Sequence, residues 1–104
     1  MTERLGKIKS VKFGAIDGRL GLHFDLGGDG WGVGDFWGTW ENRPKTAKYT
    51  EAEHLAELGK LAIDTRNLLS AAKVGFIHEL VGKPIRVTFN RTTLEGWSVL
   101  TEVL

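Results

Sequence analysis

Residues 27–41, GGDGWGVGDFWGTWE, interleave glycine with tryptophan and constrain the fold of this chain more than any other segment. They hold six of its fourteen glycines and three of its four tryptophans. After a glycine turn the residues alternate, and alternation predicts a β-strand with one bulky and one smooth face. The bulky face is Trp31, Val33, Asp35, Trp37 and Thr39, and the smooth one is Gly32, Gly34, Phe36, Gly38 and Trp40.

Two further strands precede this segment and complete a three-stranded meander. In the first, LGKIKSVKFGAI, the alternation of apolar and polar residues shifts between Ile8 and Val11. This shift indicates either a bulged strand or an edge strand whose lysines prevent pairing with other chains. The dipeptide Asp17-Gly18 is typical of a tight hairpin turn. The second strand alternates cleanly, with an apolar face made of Leu20, Leu22, Phe24 and Leu26.

A long helix follows the meander. Thr50 and Glu53 form a capping box, and apolar residues then recur with a helical period to about residue 72. Gly59 costs roughly 1 kcal/mol relative to alanine inside a helix. We therefore expect another backbone to approach the helix closely at Gly59.

The remaining chain predicts a β-hairpin. Pro84 suits the first position of a strand IRVTF, NRTT turns the chain, and LEGWSVLTEVL returns. Short connections make all these strand pairs antiparallel. Residues 1–104 are thus expected to form a single α+β domain, an antiparallel sheet of about five strands in βββ-α-ββ order with one long helix packed on one face. One helix covers one face, so a partner is expected on the other, and a homo-oligomer is one such partner.

Composition narrows the classes of function. The chain has no cysteine, which excludes disulfides, thiolate nucleophiles and cysteine-based zinc sites and suits the cytoplasm. No apolar run approaches the length of a membrane span, so no membrane association is expected. The net charge is +1, which gives no strong indication of DNA or RNA binding. Basic residues nevertheless cluster near the N-terminus, at Arg4, Lys7, Lys9 and Lys12.

Catalytic and metal-binding motifs are not recognised. No serine lies in a Gly-x-Ser-x-Gly turn, and the three histidines are scattered. Asp25, Asp29 and Asp35 crowd around the glycine turn but do not match a calcium loop. We therefore expect no enzyme activity, no cofactor and no metal site.

The glycine and tryptophan segment admits two interpretations. In one, the glycine face makes room for the helix and the tryptophans fill the core. In the other, glycines let a flat ligand come close, tryptophans stack on a base, and basic residues after the segment meet a phosphate. The candidate binding residues are Trp31, Asp35, Trp37, Trp40, Arg43, Lys45 and His23. For His23 the alternative interpretation is a polar side chain on an exposed strand face without a binding role.

Three pieces of the chain resemble a family of small phage and prophage proteins of unassigned chemistry. They are IKSVKFG at 8–14, GWGVGDFWGTW at 30–40, and GKPIRVTF with LEGWSVLTEVL within 82–104. The resemblance carries no catalytic residue. It implies, by analogy with other small accessory phage proteins, a counter-defence protein in the host cytoplasm that acts by binding.

Two binding mechanisms are compatible with that resemblance. The first is a sponge that sequesters a nucleotide immune signal by aromatic stacking and basic contacts, with the site at a subunit interface. The second is an anti-CRISPR-like inhibitor that docks on a host defence protein through the same aromatic face and takes no small ligand.

Overall fold

The elements follow the predicted order. The computed structural model describes residues 2–43 and 45–101. Short turns link the strands within each group, and a short 3₁₀ helix, Ile77–Leu80, follows the long helix. The α+β prediction is confirmed, with elements β1 (Thr2–Ile16), β2 (Arg19–Gly28), β3 (Trp31–Trp40), α1 (Glu51–Ala72), β4 (Pro84–Asn90) and β5 (Thr93–Val99).

Strand β1 is the centre of the sheet and is shared by its two halves. The strand order is β3-β2-β1-β4-β5, with every pair antiparallel. Residues 2–7 of β1 pair with β4, and residues 7–16 pair with β2. The alternation slip is a bulge between Ile8 and Ser10, located where the strand changes partner. The bulge was predicted, and the edge-strand alternative holds for part of β1, because residues 10–16 pair with β2 on one side and with no other strand in the described part of the chain.

The sheet curls until its two edge strands approach each other. Trp37 of β3 and Trp97 of β5 stack with ring centroids 5.2 Å apart, although these strands lie at opposite ends of the strand order. Helix α1 packs against both β3 and β5 and so lies over the opening between them. The result is a partly open barrel closed by a helix.

The core fills the concave side of this sheet. Its apolar side chains come from all the strands, from the 3₁₀ helix and from α1, which contributes Leu61, Leu68 and Ala72. The tryptophan face of β3 also points to this side, where Trp31, Val33 and Trp37 pack on the core. The fully buried side chains are Ile8, Leu22, Leu26, Leu80, Ile85 and Val87.

The face left without a helix is therefore the glycine face of β3. Trp40 lies on this outer face and is 42% exposed. The sequence left open which face the helix covers, and the core packing of Trp31 and Trp37 answers that question. An uncovered patch of several tryptophans, which the partner expectation assumed, does not form.

Two glycines are required by the close approach of β2 and β3. Gly21 and Gly38 face each other across the two strands. A Cβ added at Gly21 would collide with the carbonyl oxygen of Trp37, and one added at Gly38 would collide with that of Leu20. Gly34 differs, because a Cβ there would meet its nearest neighbour at an ordinary 3.6 Å.

Helix α1 begins at the predicted cap. The Thr50 hydroxyl accepts from the Glu53 amide at 3.1 Å, and the Glu53 carboxylate accepts from the Thr50 amide at 3.1 Å. The next turns join the helix to the end of β3: His54 Nε2 donates to the Trp40 carbonyl at 2.7 Å, and the Thr39 hydroxyl donates to Glu57. These bonds fix the helix against the edge of the sheet.

Gly59 does not have the close neighbour expected from the sequence. Outside its own helical turn, no described atom lies within 4 Å of a Cβ built at Gly59, and the residue is exposed. That expectation is wrong, because this side of α1 faces away from the sheet.

Replacing Gly59 with alanine should stabilise the protein. Alanine has the higher helix propensity and fits this open position, so G59A should gain roughly 1 kcal/mol. Thermal unfolding should show a rise in Tm of about 4–8 °C. An unchanged or lower Tm would mean that another group contacts this side of the helix in solution.

The two kinds of glycine should respond differently to the same substitution. G21A places a methyl group against backbone and should destabilise the fold by about 3 kcal/mol or more. G34A, on the neighbouring strand, should change stability by no more than about 0.5 kcal/mol. Urea unfolding of both variants measures the difference, and equal losses would contradict the close approach at Gly21.

Candidate functional site

The structure separates the candidate binding residues into three groups. Trp31, Asp35 and Trp37 point to the concave side, and His23 and Trp40 lie on the outer face. Arg43 and Lys45 are exposed in the loop that follows β3. The seven residues therefore do not form one site, because neighbouring positions on β3 face opposite sides of the sheet.

Asp35 joins the two edges of the sheet. Its Oδ2 accepts from Trp37 Nε1 at 3.0 Å and from Trp97 Nε1 at 2.7 Å, and its Oδ1 accepts from the Phe36 amide at 2.9 Å. Trp97 is 62 residues away in sequence. Hydrogen bonds to an ionised carboxylate are stronger than neutral ones, so this half-buried group holds β3 and β5 together.

The inward tryptophans complete an aromatic cluster. Phe24 meets Trp37 and Trp97 edge-on, each with centroids 5.0 Å apart. Trp31 meets Phe89 edge-on at 5.6 Å. These three indoles already have partners in the core, and the prediction that Trp31 and Trp37 touch a ligand stays a prediction.

A row of glycines crosses the outer face. The pairing places Gly14 of β1 opposite Gly21 of β2, and Gly21 opposite Gly38 of β3. Three adjacent strands thus carry glycine side by side, of which Gly14 is open, Gly21 is buried and Gly38 is covered by the tip of the Phe36 ring. The same registers place one row of side chains on each flank of the glycines. The row on the side of the β1–β2 turn is Ile16, Arg19 and Trp40, and the row on the opposite side is Lys12, His23 and Phe36.

The side chains around this row enclose a hollow of about 310 Å³. We call it the glycine hollow. The Arg19 guanidinium lies 5.8 Å from the centroid of the Trp40 ring, and the His23 ring lies 4.7 Å from that of Phe36. The hollow thus offers aromatic surface on both flanks, and its lining residues are Ile16, Asp17, Arg19, His23, Phe36 and Trp40.

His23 carries an unsatisfied polar atom. Its Nε2 is buried and has no hydrogen-bond partner among the described residues. A buried polar atom of this kind costs about 1–3 kcal/mol. The fold retains this imidazole against Phe36 at some cost in stability, and an apolar residue at position 23 would avoid that cost.

The loop after β3 brings further positive charge to the end of the strand. It begins immediately after Trp40, and the Arg43 guanidinium donates to the Tyr49 carbonyl at 3.2 Å, which closes the loop on itself. Lys45 is exposed. Both residues therefore follow the aromatic flank of the glycine hollow directly along the chain.

A larger cleft, of about 720 Å³, lies between α1 and the edges of β3 and β5. Its walls include Trp37 and Trp97, but its charged groups are Glu57, Asp64 and Lys60. Lys60 is already paired with Asp64 at 2.8 Å. Negative charge therefore prevails in the cleft, whereas in the glycine hollow Arg19 and Asp17 balance and Lys12, opposite His23, adds a positive charge beside it.

Sequence reasoning missed Lys12, Arg19 and Phe36 as members of a site. Phe36 and Trp40 were placed on one face of β3 from the alternation alone, which was the available signal. Lys12 and Arg19 belong to other strands, and only the pairing register places them beside these aromatic rings.

Two classes of structure are not found in the described part of the chain. No three His, Asp or Glu side chains among residues 2–43 and 45–101 come together as metal ligands would. Within the same residues, no helix has the length and apolar character needed to cross a membrane.

Removing the Asp35 carboxylate should weaken the fold. D35A leaves two indole N–H groups without their acceptor, and each such loss costs about 1–3 kcal/mol, so we expect a decrease of about 2 kcal/mol or more in unfolding free energy. D35N keeps an acceptor oxygen and should lose less. Urea denaturation followed by far-UV circular dichroism measures both, and a D35A variant as stable as wild type would contradict the joining role.

Comparison with protein-family models, with curated proteins and with solved structures returned no match for this chain. The resemblance to small phage proteins therefore stays a prediction.

Proposed function

We propose that this protein binds a nucleotide in the glycine hollow and does not convert it. The observation that carries the proposal is the hollow itself, in which the Trp40 and Phe36 rings stand on the two flanks and Arg19 supplies a cation. A flat ring can approach the backbone at Gly14, where no described atom lies within 4 Å of a built Cβ, whereas the tip of the Phe36 ring covers Gly38 and Gly21 is buried.

The flanking groups match the two parts of a nucleotide. Trp40 and Phe36 present aromatic surface, and stacking on such rings contributes about 1–3 kcal/mol per base whatever the base is. Arg19 lines the same hollow and Lys12 lies opposite His23 at its edge, so both cations are placed to contact a phosphate there. Asp17 at the rim is suited to accept from amino groups of a base.

The same side chains support binding without turnover. Nucleophilic catalysis requires a nucleophile such as serine, threonine or lysine activated by a general base, and the lining of the hollow contains none of these three residue types. The imidazole of His23 has its buried nitrogen unpartnered. Capture of an intact ligand is also what sequestration of a nucleotide immune signal needs, and it is the role that the resemblance to phage proteins implies.

The first experiment is a capture assay. Purified protein is mixed with a panel of linear and cyclic nucleotides, the mixture is filtered, and the filtrate and the heat-released fraction are analysed. We expect at least one nucleotide to leave the filtrate and to be recovered intact on heating. Recovery in altered form would establish an enzyme, and a panel that stays wholly in the filtrate would overturn the proposal in favour of a protein target.

Variants of the hollow should then lose capture while remaining folded. W40A removes the exposed indole, and R19Q removes the cation above it, so each should weaken binding about tenfold or more. F76A and R66Q remove an exposed aromatic ring and an exposed cation elsewhere on the chain and serve as matched controls. Equal affinity of W40A and wild type would place the ligand outside the hollow.

A further inference from the structure

Three lysines form a column along β1 on the outer face. Lys12 pairs with His23 and Lys7 with Gly27, so both side chains share the side of the sheet that carries the glycine hollow. The bulge turns Lys9 to the same side, where its Cε lies 2.8 Å from the place that a Cβ of Gly27 would take.

The column forms no ion pair with a described side chain. No ion pair between described side chains involves any of the three lysines, although Lys60 and Arg86 do have carboxylate partners. All three lysines are exposed. Like charges held in a row on one strand are mutually unfavourable, and a polyanion lying along them would relieve that repulsion.

The column extends beyond the reach of a single nucleotide. Lys7 lies seven residues along β1 from Gly14, which is roughly 23 Å at the rise of an extended strand. A mononucleotide seated over the glycine row would contact Lys12 and leave Lys7 and Lys9 unused. A ligand that engages the whole column must carry several phosphates in a line.

Two aromatic side chains lie along β3 and overlap the lysine column at one end, since Phe36 is level with Lys12 and Trp40 is level with Ile16. Trp40 and Phe36 share the outer face and are roughly 13 Å apart, with Gly38 between them. Gly34 and Gly32 continue the same face without a side chain, and a Cβ at either would meet only ordinary contacts at 3.6 Å. The fold does not require glycine at these two positions, and the absence of side chains there leaves the backbone accessible to a ligand.

The lysine column and these aromatic side chains lie two strands apart, roughly 9–10 Å, with β2 between them. Asp25 is the carboxylate of β2 on this path, and it accepts from the Ser10 hydroxyl at 2.7 Å. Asp25 lies opposite Ser10, so one carboxylate stands beside the column of three lysines. Charge along one side and flat aromatic surface along the other are the requirements for binding a single strand.

We propose that the ligand of the outer face is a short single-stranded nucleic acid. Its phosphates follow Lys12, Lys9 and Lys7, and its bases stack on Trp40 and Phe36. This inference rests on the proposed nucleotide site and extends it from one nucleotide to a chain of several. Both strands of a duplex keep their bases inside the stack, so duplex DNA is not expected to use these platforms.

The length of the site is tested by fluorescence anisotropy with labelled oligothymidylates of two, four and eight nucleotides. Competition by unlabelled mononucleotide gives the affinity for a single nucleotide. We expect affinity to rise at least tenfold from the mononucleotide to the tetranucleotide and a hairpin duplex to bind more weakly. Equal affinity for all lengths, or for the duplex, would overturn the single-strand inference while leaving the nucleotide site intact. No binding of any length or of the mononucleotide panel would overturn both.

A charge-matched pair of triple variants tests the column. K7Q/K9Q/K12Q should weaken tetranucleotide binding and reduce the slope of log affinity against log salt by about two, since each phosphate contact contributes about 0.7 for a single strand. K60Q/R66Q/K73Q removes the same charge from α1 and the residue after it and should leave the slope unchanged. Equal effects of the two variants would show only a dependence on net charge and would overturn the inference.

Discussion

The Asp35 carboxylate is the interaction on which the shape of this molecule depends. It accepts two indole N–H groups, one from its own strand and one from β5, and so connects two strand edges that share no backbone ladder. A sheet of five strands need not curl this far. The contact closes a long segment of chain, and its entropic cost is offset by charge-assisted bonds, the stacked rings and the burial of α1 across the opening.

This closure also decides the character of the opposite face. Because Trp31, Asp35 and Trp37 point inward, the alternate residues of β3 point outward, and most of these are glycine. The alternation of β3 therefore supplies bulky side chains to the core and mostly glycines to the outer face. Gly21 and Gly38 serve the fold through close strand approach, whereas Gly32 and Gly34 are not required by packing. A face this smooth, with Lys12 and Arg19 beside it, is suited to a flat anionic ligand.

Local patterns predicted the elements, and long-range contacts decided the site. The capping box at Thr50, the alternation of β3 and the bulge in β1 are each encoded within a few residues, so they were readable. Alternation is symmetric between the faces of a strand, so it did not show which face α1 would cover. The Asp35 to Trp97 bond and the glycine row depend on pairing between distant segments. The prediction of a close backbone approach at Gly59 was wrong for a related reason, since only the orientation of α1 shows that Gly59 faces away from the sheet.

The distribution of the four tryptophans gives the protein two separate optical reporters. Trp37 and Trp97 are stacked at 5.2 Å with their planes 24° apart, close enough for their electronic transitions to couple and to give a signature in the near-ultraviolet dichroism. That signature reports whether the barrel is closed. Trp40 is the exposed indole, and its emission responds to what touches the outer face. A change in emission when a ligand is added, without a change in the dichroism, therefore indicates occupancy of the outer face with the interior intact.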